Sequence, residues 1–135
     1  MGTLVRMVSV LVADDHDDFL ATVVRHLEPH FDVVGTVSNG QALVDEAVRL
    51  APDMVVLDIT MPVVNGIDAV RKLRATGSRA RIVFLTVHAD PDYVRAALGA
   101  GALGYVLKSE LASDLLPCLQ DVLGGRSFVS PAIAP

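Results

Sequence analysis

The chain has 135 residues, of which 52% are hydrophobic and 20% are charged, and its net charge at pH 7 is −5. This composition excludes a disordered or fibrous protein, predicts one globular domain and argues against nucleic-acid binding by the chain itself. Apolar runs too short to span a bilayer and a single cysteine, Cys118, predict a cytoplasmic protein without membrane contact, disulfide or cysteine-based metal site.

Short apolar runs alternate along the chain with longer stretches of helical spacing. Five runs rich in Val, Ile or Leu lack polar alternation and predict strands buried on both faces. They are Met7 to Ala13, Val33 to Val37, Met54 to Leu57, Ile82 to Val87 and Leu103 to Leu107.

A helix is predicted after each of these strands. The first helix has apolar residues at helical spacing from Leu20 to Leu27 and ends before Pro29. The second is expected from a capping box of Ser38 and Gln41 to Leu50, and the third from the cap Asn65 to an exit at Gly77. The fourth is expected from Asp90 and Pro91 onward, and the fifth from about Ser113, where Pro117 is tolerated. The final stretch, "RSFVSPAIAP", has no helical period and resembles a linker or a frayed tail. The predicted domain therefore covers residues 1–125, and 126–135 form a linker or tail.

Five strand-then-helix units predict an open α/β structure with a parallel sheet and right-handed crossovers. Ligands bind such sheets outside the carboxyl ends of the strands. The candidates at these ends are Asp14 and Asp15 after the first strand, Asp58 after the third, Thr86 in the fourth and Lys108 after the fifth.

Carboxylates brought to one edge of a sheet require a cation among them, and oxygen ligands suit Mg²⁺. A lysine and a hydroxyl beside such a metal are typical of phosphoryl transfer. Asp58 is the expected nucleophile, because it ends the central strand between apolar "MVVL" and the tight "TMPVVNG" loop. Each residue alone has an ordinary structural explanation, and their combination carries the hypothesis.

Four acids surround His16 in the stretch "VADDHDDF". Asp14 and Asp15 are expected at the metal, whereas Asp17 and Asp18 lie where the first helix begins and favour its free N–H groups. His16 itself is expected to be an exposed turn residue.

The acidic pair "DD", "LDITMP" followed by "NG", "FLT" and "GYVLK" resemble the signature regions of two-component response regulator receiver domains, from about Val5 to Leu123. "ADDHDDF", "HADPDYVRAALGAGALGYVLK" and "VLGGRSFVSP" are most similar to the NarL/FixJ (LuxR-type) subfamily. The resemblance implies a flavodoxin-like (CheY-like) doubly wound (βα)5 three-layer sandwich with sheet order 2-1-3-4-5. It also implies a signalling domain that is not an enzyme beyond self-catalysed phosphorylation and dephosphorylation.

The resemblance further implies roles for individual residues. Asp58 would accept a phosphoryl group from a sensor histidine kinase. Mg²⁺, or Mn²⁺, would be bound directly by Asp58, Asp15 and the Thr60 backbone carbonyl. Asp14 would bind the ion through water. Phosphoryl oxygens would be held by Thr86 and Lys108, with Tyr105 turning inward as an aromatic switch. The output would be dimerisation or docking, and transcription control through a helix-turn-helix DNA-binding domain absent from this chain.

Two positions depart from the family pattern. Ser109 replaces a common proline after Lys108, so a trans peptide bond is expected there. Val87 replaces a small residue and is predicted to narrow access to the phosphoryl group. This would slow both hydrolysis of the phosphoryl group and phosphorylation by small donors. His88 and Thr60 are placed to orient an attacking water, although His88 is equally compatible with a solvated loop position.

Three other functions remain as alternatives. The chain could be a receiver-like interaction module that is never phosphorylated, although the retained site residues argue against this. A haloacid-dehalogenase-type phosphatase needs an acid two residues after the nucleophile, where this chain has Thr60. A flavodoxin-like FMN carrier needs a phosphate loop where this chain has four acids.

Overall fold

The structure is a computed structural model that describes residues 7–133. Within this range the strands are β1 (Ser9–Ala13), β2 (Asp32–Val37), β3 (Met54–Leu57), β4 (Arg81–Thr86), β5 (Gly104–Leu107) and β6 (Phe128–Val129). The helices are α1 (Asp17–Leu27), α2 (Gly40–Leu50), α3 (Gly66–Ala75), α4 (Pro91–Gly99) and α5 (Leu111–Leu123). Among these described helices, none has the length and apolar character needed to cross a membrane.

All neighbouring strands pair in parallel, in the order β2-β1-β3-β4-β5-β6. The order of the first five strands confirms the doubly wound sheet expected from the family resemblance. The order reverses between β1 and β3, where the carboxyl ends of neighbouring strands open toward solvent. This is the edge at which the sequence places its candidate site.

Alternate side chains of the strands build one core on each face of the sheet. Leu11 and Ala13 of β1 point to the core that α2, α3 and α4 cover. Val10 and Val12 point to the core that α1 and α5 cover. Two helical layers therefore enclose the sheet, which is the expected three-layer sandwich.

Helix starts follow the expected capping chemistry with one shift. Asn65 caps α3 by accepting from the Asp68 N–H, and Asp90 caps α4, whose first residue is Pro91. For α2 the expected cap, Ser38, is wrong by one residue, because the Asn39 side chain accepts from the Ala42 N–H at 2.8 Å. Both are good capping residues, so propensity alone does not separate them.

Several boundaries differ from the sequence predictions. The strand β4 ends at Thr86, so Val87 lies in the following loop. Helix α5 begins at Leu111, after a 3-10 turn, and keeps Pro117 on its exposed side. The strand β2 lies at the sheet edge and is partly exposed, so burial on both faces is wrong for this strand.

The sixth strand was not predicted. Phe128 and Val129 pair with Gly104 and Tyr105 of β5, where sequence analysis expected only a linker or frayed tail. A two-residue strand has too few positions to show a period of two, so its pairing is decided by the neighbouring strand. The role of residues 126–135 as a linker stays a prediction, and residues 134–135 lie outside the described part.

Candidate functional site

Three predicted site residues meet at the carboxyl edge of the sheet. Asp14 follows β1, Asp58 follows β3 and Lys108 follows β5. The Lys108 Nζ atom lies 2.8 Å from Asp14 Oδ2 and 2.9 Å from Asp58 Oδ2. Both aspartates are 3% exposed, so the ammonium group compensates two carboxylates that have little access to water.

Lys108 is held at this position from two sides. Burial alone would lower the pKa of its amine, but the hydrogen bonds and charges of Asp14 and Asp58 outweigh burial and raise the pKa above its ordinary value. The Phe19 ring of α1 lies 4.6 Å from Nζ, within cation–π range. Sequence analysis missed Phe19, whose position in the first turn of α1 gives no separate signal.

Backbone groups fix the second oxygen of each buried carboxylate. Asp58 Oδ1 accepts from the Ile59 N–H at 2.7 Å, and Asp14 Oδ1 accepts from the His16 N–H at 2.9 Å. Each aspartate is therefore oriented by one backbone donor and by Lys108. Such fixed orientation is what a reacting carboxylate needs.

Gly66, the first residue of α3, lies against the backbone of Asp58. A Cβ atom at this position would stand 2.1 Å from the Asp58 carbonyl oxygen. The Gly66 N–H donates to the Ile59 carbonyl at 2.6 Å. Sequence analysis noted the "NG" pair but did not assign this glycine to the site; the close approach explains why no side chain fits there.

Four residues have ligand atoms placed for a metal ion. One atom each from Asp14, Asp15, His16 and Asp58 lies within 4.8 Å of the others. Three carboxylates in this arrangement suit a hard divalent cation, so the residues fit the Mg²⁺ that the family resemblance implies. The role of the Thr60 carbonyl as a ligand stays a prediction.

His16 lies beside these carboxylates. Its side chain is 69% exposed, as expected for a turn residue, and Nδ1 lies 3.2 Å from Asp14 Oδ1 and 3.0 Å from Asp15 Oδ1. It is also the N-cap residue of α1, without a side-chain capping bond. Asp17 and Asp18 occupy the first turn of α1 as predicted, but the N-cap position itself belongs to His16.

Thr86 and Tyr105 both bond to the backbone of His88. The buried Thr86 hydroxyl accepts from the His88 N–H at 3.3 Å, and the Tyr105 hydroxyl donates to the His88 carbonyl at 2.7 Å. Tyr105 is fully buried, and burial, followed by the charge of Asp58, raises the pKa of its hydroxyl. Tyr105 therefore points inward, and the alternative with its hydroxyl in water does not describe the structure.

The His88 ring joins two further groups. Its Nε2 atom lies 2.8 Å from Thr60 Oγ1, and its ring stacks on Tyr93 at a centroid distance of 4.2 Å. His88 thus lies in the loop after β4, half-buried and with two side-chain contacts. Thr60 and His88 bond to each other, and their proposed action on an attacking water stays a prediction.

The structure locates Val87 and Ser109, the two positions that depart from the family pattern. Val87 is 68% exposed and lines one shallow pocket together with His16, Phe19 and Lys108. Within residues 7–133 every peptide bond is trans, which confirms the expected trans bond between Lys108 and Ser109.

Comparisons with known proteins show which family the chain resembles. Residues 10–120 match the family described as "Response regulator receiver domain". The nitrate/nitrite response regulator protein NarL of Escherichia coli K12 is 38% identical over 130 residues, which cover 94% of this chain and 60% of NarL. The transcriptional regulatory protein DegU of Brevibacillus brevis is 34% identical over 128 residues, which cover 93% of this chain and 54% of DegU. The chain thus spans little more than half the length of these curated relatives.

Solved structures of response regulators are also similar to this chain. A two-component response regulator of the LuxR family from Aurantimonas sp. SI85-9A1 superposes with a TM-score of 0.90 at 32% identity, covering 96% of this chain and 94% of that one. The signal receiver domain of the putative response regulator NarL from Mycobacterium tuberculosis superposes with a TM-score of 0.83 at 31% identity, covering 89% and 98%. The similarity therefore extends over the complete sheet and its helices.

Proposed function

The chain belongs to the response regulator receiver domain family, in its NarL/LuxR type, and from this membership we propose that Asp58 is its phosphoacceptor. An Asp58 carboxylate oxygen attacks the phosphorus of a phosphohistidine on a sensor histidine kinase. The new P–O bond forms as the P–N bond breaks, and the imidazole leaves with the electron pair of that bond.

The contact of Lys108 with Asp58 carries this proposal. The Lys108 ammonium group lies 2.9 Å from Asp58 Oδ2, where it compensates negative charge next to the attacking oxygen. The Ile59 N–H holds the other oxygen. A carboxylate that only stabilised the fold would not need to lie at the open end of the strand beside further acids.

The proposed direct ligands of Mg²⁺, or of Mn²⁺, are Asp15, Asp58 and the Thr60 carbonyl. Asp14 would bind the ion through water. An ion held there would neutralise charge on the phosphoryl oxygens. The carboxylates of this chain would hold that ion, and Lys108 contacts two of them through Asp14 Oδ2 and Asp58 Oδ2.

Thr86 and Lys108 are proposed to hold the phosphoryl group once it is attached. The Thr86 hydroxyl accepts from the His88 N–H and would donate its own hydrogen to a phosphoryl oxygen. Turning toward that oxygen would stretch or break the bond to His88. Tyr105 donates to the carbonyl of the same His88. A shift of His88 would therefore displace the hydrogen-bond partner of Tyr105. The proposed output is dimerisation or docking at the face of α4, β5 and α5.

The wider role follows by analogy with the relatives. NarL is named as a response regulator and DegU as a transcriptional regulatory protein. We propose that this chain likewise controls transcription, in the cytoplasm and through an attached DNA-binding domain. Its own chemistry would be limited to self-catalysed phosphorylation and dephosphorylation.

Intact mass spectrometry tests the phosphoacceptor. The protein is incubated with Mg²⁺ and acetyl phosphate, phosphoramidate or a phosphorylated kinase, and wild type is compared with Asp58→Asn. Wild type should gain the mass of one phosphoryl group, and Asp58→Asn should gain none. No mass gain on wild type with any donor would favour the receiver-like module that is never phosphorylated.

A further inference from the structure

Ser130 lies at the point where β5 ends and is completely buried. Its backbone N–H donates to the Tyr105 carbonyl at 2.9 Å. Its side-chain Oγ accepts from the Leu107 N–H at 3.1 Å. One residue thus bonds to the backbone of β5 on both sides of Val106, between the aromatic switch and the phosphoryl-binding lysine.

The segment around Ser130 is anchored over its length. Residues 128–133, here called the C-terminal strap, begin with β6, in which the Phe128 N–H donates to the Leu103 carbonyl at 2.9 Å. Val129 and Ile133 pack against the core that contains Tyr105, and Phe128 packs against the core on the other face. The strap therefore holds β5 from both faces of the sheet.

The Leu107 N–H has a strict requirement for its partner. Leu107 is buried, so an unpaired N–H there would lose its hydrogen bond without gaining water. Lys108 is the next residue, and its Nζ atom must stay within hydrogen-bond distance of two carboxylates. A shift of the peptide before Lys108 moves the start of that side chain by the same amount.

We propose that Ser130 is a positioning residue for phosphorylation: its hydroxyl fixes the Leu107 peptide and thereby holds Lys108 against Asp58. The inference rests on the proposed function and names a residue that lies after the receiver signature regions, in the stretch "VLGGRSFVSP". Ser130 contacts neither Asp58 nor the phosphoryl group, and it acts only through β5. It also makes the C-terminal strap the segment that a shift of Tyr105 or Lys108 would displace first.

The test is a mutant cycle read by the rate of phosphorylation with phosphoramidate. Ser130→Ala should slow phosphorylation about tenfold, since displacement of a positioned group costs one to two orders of magnitude. Ser130→Thr, which keeps the hydroxyl, should restore most of the rate. Ser113→Ala, at an exposed serine of α5, is the matched control and should react like wild type.

The Lys108→Ala background separates positioning from general damage. If Ser130 acts through Lys108, adding Ser130→Ala to Lys108→Ala should not slow the reaction further. An equal slowing by Ser130→Ala in both backgrounds, or a wild-type rate for Ser130→Ala, would overturn the inference. If Ser130→Ala does not fold, Ser130→Cys replaces it in the same cycle. The cysteine side chain has a shape similar to that of serine, and its sulfur is a weaker hydrogen-bond acceptor.

The two proposals fail in different ways. A wild-type chain that takes no phosphoryl group overturns the phosphoacceptor proposal, and the role of Ser130 in that reaction with it. A wild-type chain that is phosphorylated, with Ser130→Ala reacting equally fast, overturns only the role of Ser130.

Discussion

Lys108 shows how one side chain balances the charges of the site. Its ammonium group lies between two aspartates that are each 3% exposed. Removing one partner of a buried ion pair is costly because the other charge is left without compensation. The folded protein without metal is therefore expected to depend on Lys108 for stability.

Replacing Lys108 by Met should lower the free energy of unfolding by about 3 kcal/mol in metal-free buffer at neutral pH. Added Mg²⁺ should raise the melting temperature of Lys108→Met more than that of wild type, because the ion then supplies the missing positive charge. Thermal unfolding with and without Mg²⁺ measures both effects. Lys72→Met, at an exposed position on α3, is the control; an equal loss in this variant would contradict the explanation.

The raised pKa values of Lys108 and Tyr105 set the alkaline behaviour of the protein. Both groups hold their protons more strongly in the folded state. Their stabilisation is complete below the unfolded pKa values of about 10 and is lost as pH rises through the folded values. The free energy of unfolding should therefore fall at strongly alkaline pH, as urea unfolding at increasing pH would show.

The ionisation of Tyr105 can be observed directly. The chain has two tyrosines, so Tyr93→Phe leaves Tyr105 alone and keeps an aromatic ring against His88. Its near-ultraviolet absorbance should report ionisation at a higher pH than the same variant unfolded in urea, because burial raises the Tyr105 pKa. Equal titration of the folded and unfolded variant would show that the hydroxyl is solvated.

Val87 is a test of access to the site. Its exposed side chain shares a shallow pocket with Lys108, and truncation to Ala opens that side. Val87→Ala should react faster with acetyl phosphate and lose its phosphoryl group several-fold faster. The aspartyl-phosphate lifetime, followed by intact mass after removal of the donor, checks this; an unchanged or longer lifetime would contradict it.

At the scale of elements, the start of α3 is held by a contact that only glycine permits. Gly66 leaves no room for a Cβ beside the Asp58 carbonyl. Gly66→Ala should cost about 3 kcal/mol of stability, since the helix or the Asp58 backbone has to move. Gly99→Ala in α4, where a Cβ meets nothing within 4 Å, should stay within about 1 kcal/mol of wild type.

Urea unfolding of the two variants measures this difference. Equal stabilities would mean that the loop before α3 adjusts freely. That loop has little freedom, because Val63 already adopts a φ of 70°, which is strained for a β-branched residue.

Elements with strong local signals were predictable from the sequence, and those decided by a neighbour were not. The bounds of β3 and the caps Asn65 and Asp90 agree with the prediction, because a buried apolar run and a capping side chain act within a few residues. The strand β6 depends on pairing with β5. Ser130 likewise gains its role only from the backbone groups that β5 offers.

For the whole molecule, repeated strand-then-helix units and right-handed crossovers already imply which strand ends lie together. This explains why Asp14, Asp58 and Lys108 were identified from their positions in the chain. Distances of 2.8 and 2.9 Å to Lys108 could not be predicted, because side-chain contacts depend on packing. Phe19 and Gly66 could not be assigned to the site from the sequence for the same reason.

The reactivity of the Cys118 thiol shows whether helix α5 separates from the sheet only when the whole domain unfolds. It is buried in α5 against Gly104 of β5, where a Cβ would stand 2.6 Å from its sulfur. Burial raises the pKa of the thiol to about 12, so little reactive thiolate is present at neutral pH. Cys118 therefore packs as a small apolar side chain.

Alkylation of Cys118 by iodoacetamide should therefore be at least about a thousandfold slower in the folded protein than in urea, if exposure requires global unfolding. The rate should rise with urea in parallel with the unfolded fraction, because α5 shares its core with the central strands. Intact mass measures the reaction of this single thiol. A native rate within about tenfold of the unfolded rate would mean that α5 leaves the sheet on its own, and docking at the α4, β5 and α5 face would then have to order that helix first.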